Sequence, residues 1–425
     1  MYNITKRVII SVHKKNLTIE EKPMNIVHNL RIALILGTIF LFLTSSAPAQ
    51  EDTSSMQSKE EILLGMSTAL TGPTQYLGKN VLSGVLTGID RANRKGGING
   101  RKIKIIAYDD GYEPKRTTPN MNKLIDEDKV LAIIGNVGTP TAIVSIPIVN
   151  NKKVLLFAPY TGAAVLRKTP PDRYVINYSA SYAEETSAMI DALMQDANLN
   201  IEDIAFFTQR DGYGDTGFEG GVNALKRYGL EDESAVPHVR YERNTLNVEG
   251  AVSEILLLDH SPKAILLIGT YAPCAKFIKL IRENGLNPIF TNVSFVGTKP
   301  LAENLGPAGD GVIATQVVPH YESDTPIAKE YLEDLVASDL NATPSFGSFK
   351  GYVASRILIL ALENIKGEIT RESIIDSMEN LNSFDIGLGV DLKITPTEHQ
   401  ASHTIWPTIL KDGKFIPFHW KDLKK

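Results

Sequence analysis

The chain has one cysteine, Cys274, and two tryptophans. Its longest apolar run, Ile32 to Leu43, falls short of the roughly 20 residues that cross a bilayer as a helix. A single thiol excludes an internal disulfide framework and any zinc or iron–sulfur site built from several cysteines. Charge of one sign is scarce: 44 Lys and Arg stand against 49 Asp and Glu, a net charge of -5. That balance offers no basic face, so nucleic acid is not an expected partner. Disorder is excluded too, because 43% of the 425 residues are apolar. At roughly 100 to 200 residues per domain, the length predicts two or three domains.

Catalytic signatures are also missing. There is no P-loop and no G-x-S-x-G elbow. Gly212, Gly214 and Gly217 follow a predicted strand in G-x-G-x-x-G spacing, a short pattern that by itself does not establish a dinucleotide site. His399 and His403 are four apart, yet Gln400 stands where a zinc protease carries Glu. Asp109-Asp110 reads as a loop cap or hinge contact rather than an acid–base pair, and Cys274 as a packing thiol. Neither an enzyme, a metal site nor a cofactor is expected.

What is present begins with a leader. Met24 to Arg31 supplies a basic lead-in, Ile32 to Leu43 an apolar core of about twelve residues, and Ala47-Pro-Ala49 a small-x-small cleavage site. Residues 24–49 therefore read as a secretory signal peptide cleaved after about Ala49, with 1–23 an upstream extension before the true initiator. Export from the cytoplasm follows.

Beyond the leader, strands and helices alternate. Short apolar strands are expected at 62–65, 102–108, 130–134, 154–157, 203–208, 264–268, 289–292 and 311–317. Helices fall between them, at 76–94, 139–149, 184–197, 217–229, 248–258, 273–285 and 299–305. Three more are expected at 327–338, 349–365 and 371–380, then a hairpin turning on Lys411-Asp-Gly-Lys414. Uniformly apolar strands separated by helices mean parallel sheets covered on both faces, and there are too many for one small sheet. Ligands of such sheets sit beyond the C-terminal ends of strands. The segments there carry Tyr76, Tyr160, Tyr182, Tyr213, Tyr271 and Phe295 among Thr139, Thr161, Ser179, Ser181 and Thr270. Apolar walls with hydroxyl donors suit a small ligand better than bond breaking.

The segment GMSTALTGPTQYLGKNVLSGVLTGIDRANRKGGINGRKIKIIAYDDGYEP at 65–114 resembles the type I periplasmic binding proteins, specifically the leucine/isoleucine/valine-binding group that feeds ABC importers. IIGNVGTPTAIVSIPIVNNKKVLLFAPYTGA at 133–163, the 211–215 loop and AILLIGTYAPCAKFIKLIRENGL at 264–286 extend the resemblance over about 60–420. It implies an α/β fold of two Rossmann-like lobes joined by three crossovers, near 177–181, 314–319 and 388–393. Lobe one would hold 60–178 plus 318–389, and lobe two 179–316 plus 391–425. It implies no chemistry: a monomeric receptor closes around one small ligand and passes it to an ABC permease, or, alternatively, docks to a membrane sensor. An enzyme on the same fold is a weaker alternative. Carried onto this chain, the ligand carboxylate meets Gly138, Thr139, Tyr160, Thr161 and Gly162. Tyr76, Tyr213 and Tyr271 wall the side chain, with Ser181, Tyr182, Ser294 and Phe295 completing the site. One departure matters: the amino-acid binders carry an acid after the strand corresponding to 289–292, and this chain has Asn292-Val-Ser-Phe-Val296. Glu184 or Glu185 is the candidate replacement, with helix N-terminal charges as the plainer alternative.

Overall fold

A computed structural model of the chain describes residues 61–338 and 340–424. The leader at 24–49 and the extension at 1–23 lie outside the described residues. The first half of the fold is one five-stranded parallel sheet. It is built from β1 (Ile62–Thr68), β2 (Ile103–Asp109), β3 (Ala132–Ile134), β4 (Leu155–Phe157) and β5 (Val175–Ile176), in the order β2-β1-β3-β4-β5. Between them run α1 (Gln75–Arg94), α2 (Pro114–Asn122) and α3 (Thr139–Lys152). β1 is buried along nearly its whole length, and Gly65 at its centre leaves room only for the neighbouring strand, since a Cβ there would lie 2.8 Å from Ile133 Cδ1.

The second half alternates in the same way. α4 (Tyr182–Gln195) leads into β6 (Ile204–Gln209), α5 (Gly212–Lys226), β7 (His238–Tyr241), α6 (Glu249–Leu256), β8 (Ala264–Ile268), α7 (Tyr271–Glu283), β9 (Ile289–Asn292), α8 (Thr298–Leu305) and β10 (Ile313–Gln316). The chain then returns to pack α9 (Pro326–Ala337), α10 (Phe346–Asn364) and α11 (Arg371–Glu379) with the first half. A ribbon of β11 (Asn382–Phe384) and β12 (Leu392–Ile394) follows, and β13 (Trp406–Lys411) and β14 (Lys414–Pro417) close the second sheet. That sheet has seven strands in the order β14-β13-β10-β9-β8-β6-β7, with β13 alone running antiparallel to its neighbours, β10 and its hairpin partner β14. The hairpin turns at Asp412 and Gly413, both with positive φ (51° and 76°), which is the geometry an Asp-Gly turn favours. These are two Rossmann-like lobes. Among the described residues, no helix is long and apolar enough to cross a membrane.

Several helices begin earlier than periodicity predicted, because caps rather than apolar spacing fix their starts. Asp211 caps α5 through Tyr213 N (3.0 Å), so Asp211-Gly-Tyr-Gly-Asp215 forms a helix start and not a loop. Ser345 likewise caps α10, which starts three residues before the expected 349, accepting from Ser348 N (3.1 Å). β5, β7 and the β11–β12 ribbon are too short or too polar to have been expected. Between the ribbon and β13 the chain runs beside Asn177 at His399–Ala401.

Close approach of α1 and α10 fixes one wall of the interlobe cleft. A Cβ on Gly84 would lie 1.7 Å from Ser348 O, and one on Gly351 would lie 2.3 Å from Val81 O. Glycine at both positions lets the two backbones touch. Val81, Val85 and Ile89 meanwhile form the apolar face that periodicity predicted.

Candidate ligand-binding site

The predicted residues converge where the strand ends of the two sheets face each other. β3 and β4 extend past their formal ends, because Val137 and Tyr160 form a parallel bridge and Tyr160 N donates to Asn136 O (2.7 Å). Gly138 then turns the chain into α3 with φ 107°, and a Cβ there would lie 2.0 Å from the Tyr112 ring. This close fit brings Thr139 to within 2.6 Å of Thr161, hydroxyl to hydroxyl, with both side chains buried. Gly162 is equally confined: its carbonyl accepts from Tyr182 N (2.8 Å), and a Cβ would meet that same nitrogen at 2.6 Å.

The aromatic residues gather from both lobes. Phe295 has ring centroids of Tyr213 at 4.8 Å, Tyr160 at 5.4 Å and Tyr112 at 6.0 Å, and the Tyr182 ring lies tilted 5.1 Å from Tyr213. Tyr76 and Tyr271 form a separate edge-to-face pair at 6.0 Å. Tyr271 also donates to Pro73 O, and Tyr213 donates to Gly269 O (3.3 Å). The hydroxyls of Tyr76 and Tyr182 are buried without a hydrogen bond of good geometry. Next to this cluster a cavity of about 10 Å³, water-sized, lies between Tyr76, Tyr160, Ser294 and Phe346. A larger groove of about 540 Å³ adjoins it between α8, His320–Ser323 and the β13–β14 turn.

The predicted residues do not all carry free groups. Ser181 is the N-cap of α4: its hydroxyl accepts from Glu184 N (3.2 Å) while its own N–H donates to the Glu184 carboxylate (2.6 Å), a reciprocal capping box. Glu184 is thereby a helix-start charge, held further by Gln400 (2.8 Å) and His403 (2.5 Å). Its partner in sequence behaves differently. Glu185 is fully buried and reaches Ser294, accepting from its N–H (2.7 Å) and Oγ (3.0 Å), and from Thr315 Oγ1 (2.5 Å). A carboxylate thus stands at the loop after β9 even though that loop carries none. Burial raises the Glu185 pKa, against those hydrogen bonds and the charge of Lys350.

Three participants were not singled out from sequence. Tyr112 is buried with φ 65° and accepts from Gln209 Nε2 across the cleft (3.2 Å). Arg167 is held by Gln400 (2.7 Å) and the carbonyls of Ala163 and Ser179 (3.0 Å each), and burial lowers its pKa to about 10. Lys350 is 7% exposed, with Nζ 4.6 Å above the Tyr160 ring, and burial lowers its pKa to about 7 while Glu185 opposes the shift. Lys350 sits in a helical stretch where a lysine normally marks the solvent face, so only the tertiary packing reveals it.

At the rim, Glu113 accepts from Arg243 (2.9 Å) and from Asn244 (2.6 Å), Arg243 also meets Asp211 (3.3 Å), and Asn244 meets Thr74 (3.0 Å). Asp109 is the expected loop cap: it accepts from Leu70 N (2.9 Å), Thr71 Oγ1 (2.6 Å) and Gly111 N (2.9 Å). Asp110, raised to about 6 by burial, accepts from Ser67, Tyr112 N and Thr117. His399 and His403 have separate partners, Val175 O and Glu184, and no cluster of three metal-ligating side chains occurs among the described residues. Cys274 is buried in the core, its thiol pushed up by desolvation.

The profile of the family described as "Periplasmic binding protein" matches residues 61–414. A solved structure of a possible leucine/isoleucine/valine-binding protein from Rhodopirellula baltica SH 1 is 47% identical. It superposes with a TM-score of 0.84, over 86% of this chain and 98% of that one. A leucine-, isoleucine-, valine-, threonine- and alanine-binding protein of Pseudomonas aeruginosa is 20% identical over 78% of this chain and 85% of its own length. A second Pseudomonas aeruginosa relative, an amino acid binding protein, is 28% identical over 99 residues. That stretch spans 23% of this chain and about a quarter (26%) of the relative's length.

Proposed function

Because the chain belongs to the periplasmic binding protein family, we propose that it is a periplasmic solute receptor that closes around one small organic ligand and hands it to an ABC permease. The observation that carries this is the convergence, from both lobes, of Thr139, Tyr160, Thr161, Tyr182, Tyr213 and Phe295 at facing strand ends. Hydroxyl donors, aromatic walls and helix N-termini meet there, with no organised acid–base pair. The receptor acts by hinge bending and without catalysis, as a monomer released from its leader after about Ala49. Its lobes are 60–178 plus 318–389 and 179–316 plus 391–425. Leucine-type amino acids, the ligands named for the relatives, are one candidate class.

A thermal-shift screen of mature protein, unfolded and refolded to strip carried-over ligand, tests this reading. Amino acids, small carboxylates, aromatic acids, polyamines, purines and short amides make up the panel. One class should raise the midpoint progressively with concentration, as binding to the native state requires. A well-folded protein unmoved by every class would contradict it.

A further inference from the structure

Among the described residues, Lys350 is the charged group of the cleft left without a hydrogen bond or ion pair, beside the unbonded hydroxyls of Tyr76 and Tyr182. It lies in the first turn and a half of α10, four residues after Phe346 and three after Gly347, both of which line the small interlobe cavity. Its backbone is pinned where the lobes meet, since Tyr178 Oη donates to Lys350 O (2.9 Å). Its ammonium rests over the Tyr160 ring and makes no hydrogen bond or ion pair among the described residues. A lysine side chain this deeply buried with no acceptor for its ammonium is costly, so a partner that arrives with the ligand is the economical account.

The neighbouring charges do not supply that partner. Glu185, across the interface on α4, spends one oxygen on Ser294 N and Thr315 Oγ1 and the other on Ser294 Oγ. Arg167 faces the same region but is bonded to Gln400 and two carbonyls. On the helices packed along α10, Arg91 and Arg94 of α1 pair with Asp334 of α9, and Arg356 of α10 pairs with Glu330. Asp211 and Glu113 are bound to Arg243, and Glu184 to His403. Among the described residues, a ligand ammonium would therefore find no uncommitted carboxylate in the cleft.

We infer that Lys350 is the ligand's anion contact, and that the cleft selects small monocarboxylates with an apolar or aromatic body and no ammonium. The carboxylate would bond Lys350 Nζ while the body lies in the Tyr160–Phe295–Tyr213 wall. This assignment rests on the reading of the interlobe cleft as the ligand site. It also carries a proton signature. Lys350 titrates near neutrality in the ligand-free protein, and an adjoining carboxylate raises its pKa. Binding at pH 8 then takes up a proton, whereas binding at pH 6, with the lysine already charged, takes up none.

The test is calorimetric titration of refolded mature protein with 4-methylpentanoate, its amide and L-leucine, and with benzoate and benzamide. Each is run at pH 6 and pH 8 in buffers of different ionisation enthalpy. The expected result is that an acid binds about 100-fold more tightly than its amide, with proton uptake only at pH 8. Lys350→Met should lose that preference while Lys350→Arg keeps most of it, the scale of loss being that of removing one partner of a buried charged contact. Should Lys350→Met not fold, the wild-type proton count alone decides. Acid and amide binding alike, uptake absent at pH 8, or L-leucine binding more tightly than 4-methylpentanoate would overturn the assignment and leave the receptor reading standing. If none of these probes binds but another solute does, the assignment falls and the receptor stands; if nothing binds, both fall.

Discussion

Two groups of charges lie between the lobes, and they are built on opposite principles. At the rim, Glu113, Arg243, Asn244 and Asp211 are partly exposed and bonded to one another across the gap. On the floor, Glu185 is buried but satisfied within its own lobe, while Lys350 is buried and bonded to nothing. The rim is complete without a ligand and contributes to closure; the floor is complete only with one. Exposure explains the difference in energetic scale, since half-exposed pairs contribute little and buried ones cost a great deal when broken.

Removing the floor carboxylate should have the largest effect. Glu185→Ala strips the partner of Ser294 N–H and Thr315 Oγ1 and deletes the nearest negative charge to Lys350. A loss of about 3–5 kcal/mol is expected in urea unfolding, and a loss below about 1 kcal/mol would place Glu185 with the rim pairs instead. Lys350→Met should next show a pH signature in stability. The folded pKa of Lys350 is depressed, so the unfolded chain holds that proton more tightly, and the penalty is fully present below about 7. Wild type should gain stability relative to the variant as pH rises from about 7 toward 10.5, with a slope approaching ~1.4 kcal/mol per pH unit. A difference independent of pH would mean the lysine is solvated. Arg243→Ala at the rim should cost no more than about 1 kcal/mol, diminishing with salt. It should weaken ligand binding only a few-fold, measured by titration at two ionic strengths.

The same contrast explains what could be read from the amino-acid order. The strands were legible because parallel strands buried on both faces are continuous apolar runs, as at Ala264–Ile268. The cleft aromatics were legible because ligands of such sheets lie past strand ends, and Tyr160, Tyr213 and Phe295 do meet there. Helix starts were less so, since Asp211 and Ser345 extend helices by capping and not by apolar period. The floor was mostly hidden. Glu185 could be named only as one of two adjacent acids, and the division between them emerges from the fold: Glu184 closes a capping box while Glu185 crosses to Ser294. Lys350 and Tyr112 gave no local signal, because their setting is made by segments far away in the chain, Tyr160 for one and Gln209 for the other. Gly84 and Gly351, read simply as helix residues, turn out to set the approach of α10 that carries Lys350 into the cleft.

The central claim, a two-lobed receptor that closes on its solute, is most directly tested by a distance between the lobes. Thr118→Cys and Asn247→Cys place spin labels on exposed positions of opposite rims, and the buried native Cys274 should stay unlabelled. Refolded, ligand-free protein should show a longer component in the distance distribution. That component should collapse to one short distance when a solute that raises the melting midpoint is added. A distribution left unchanged by a stabilising solute would contradict closure around a ligand.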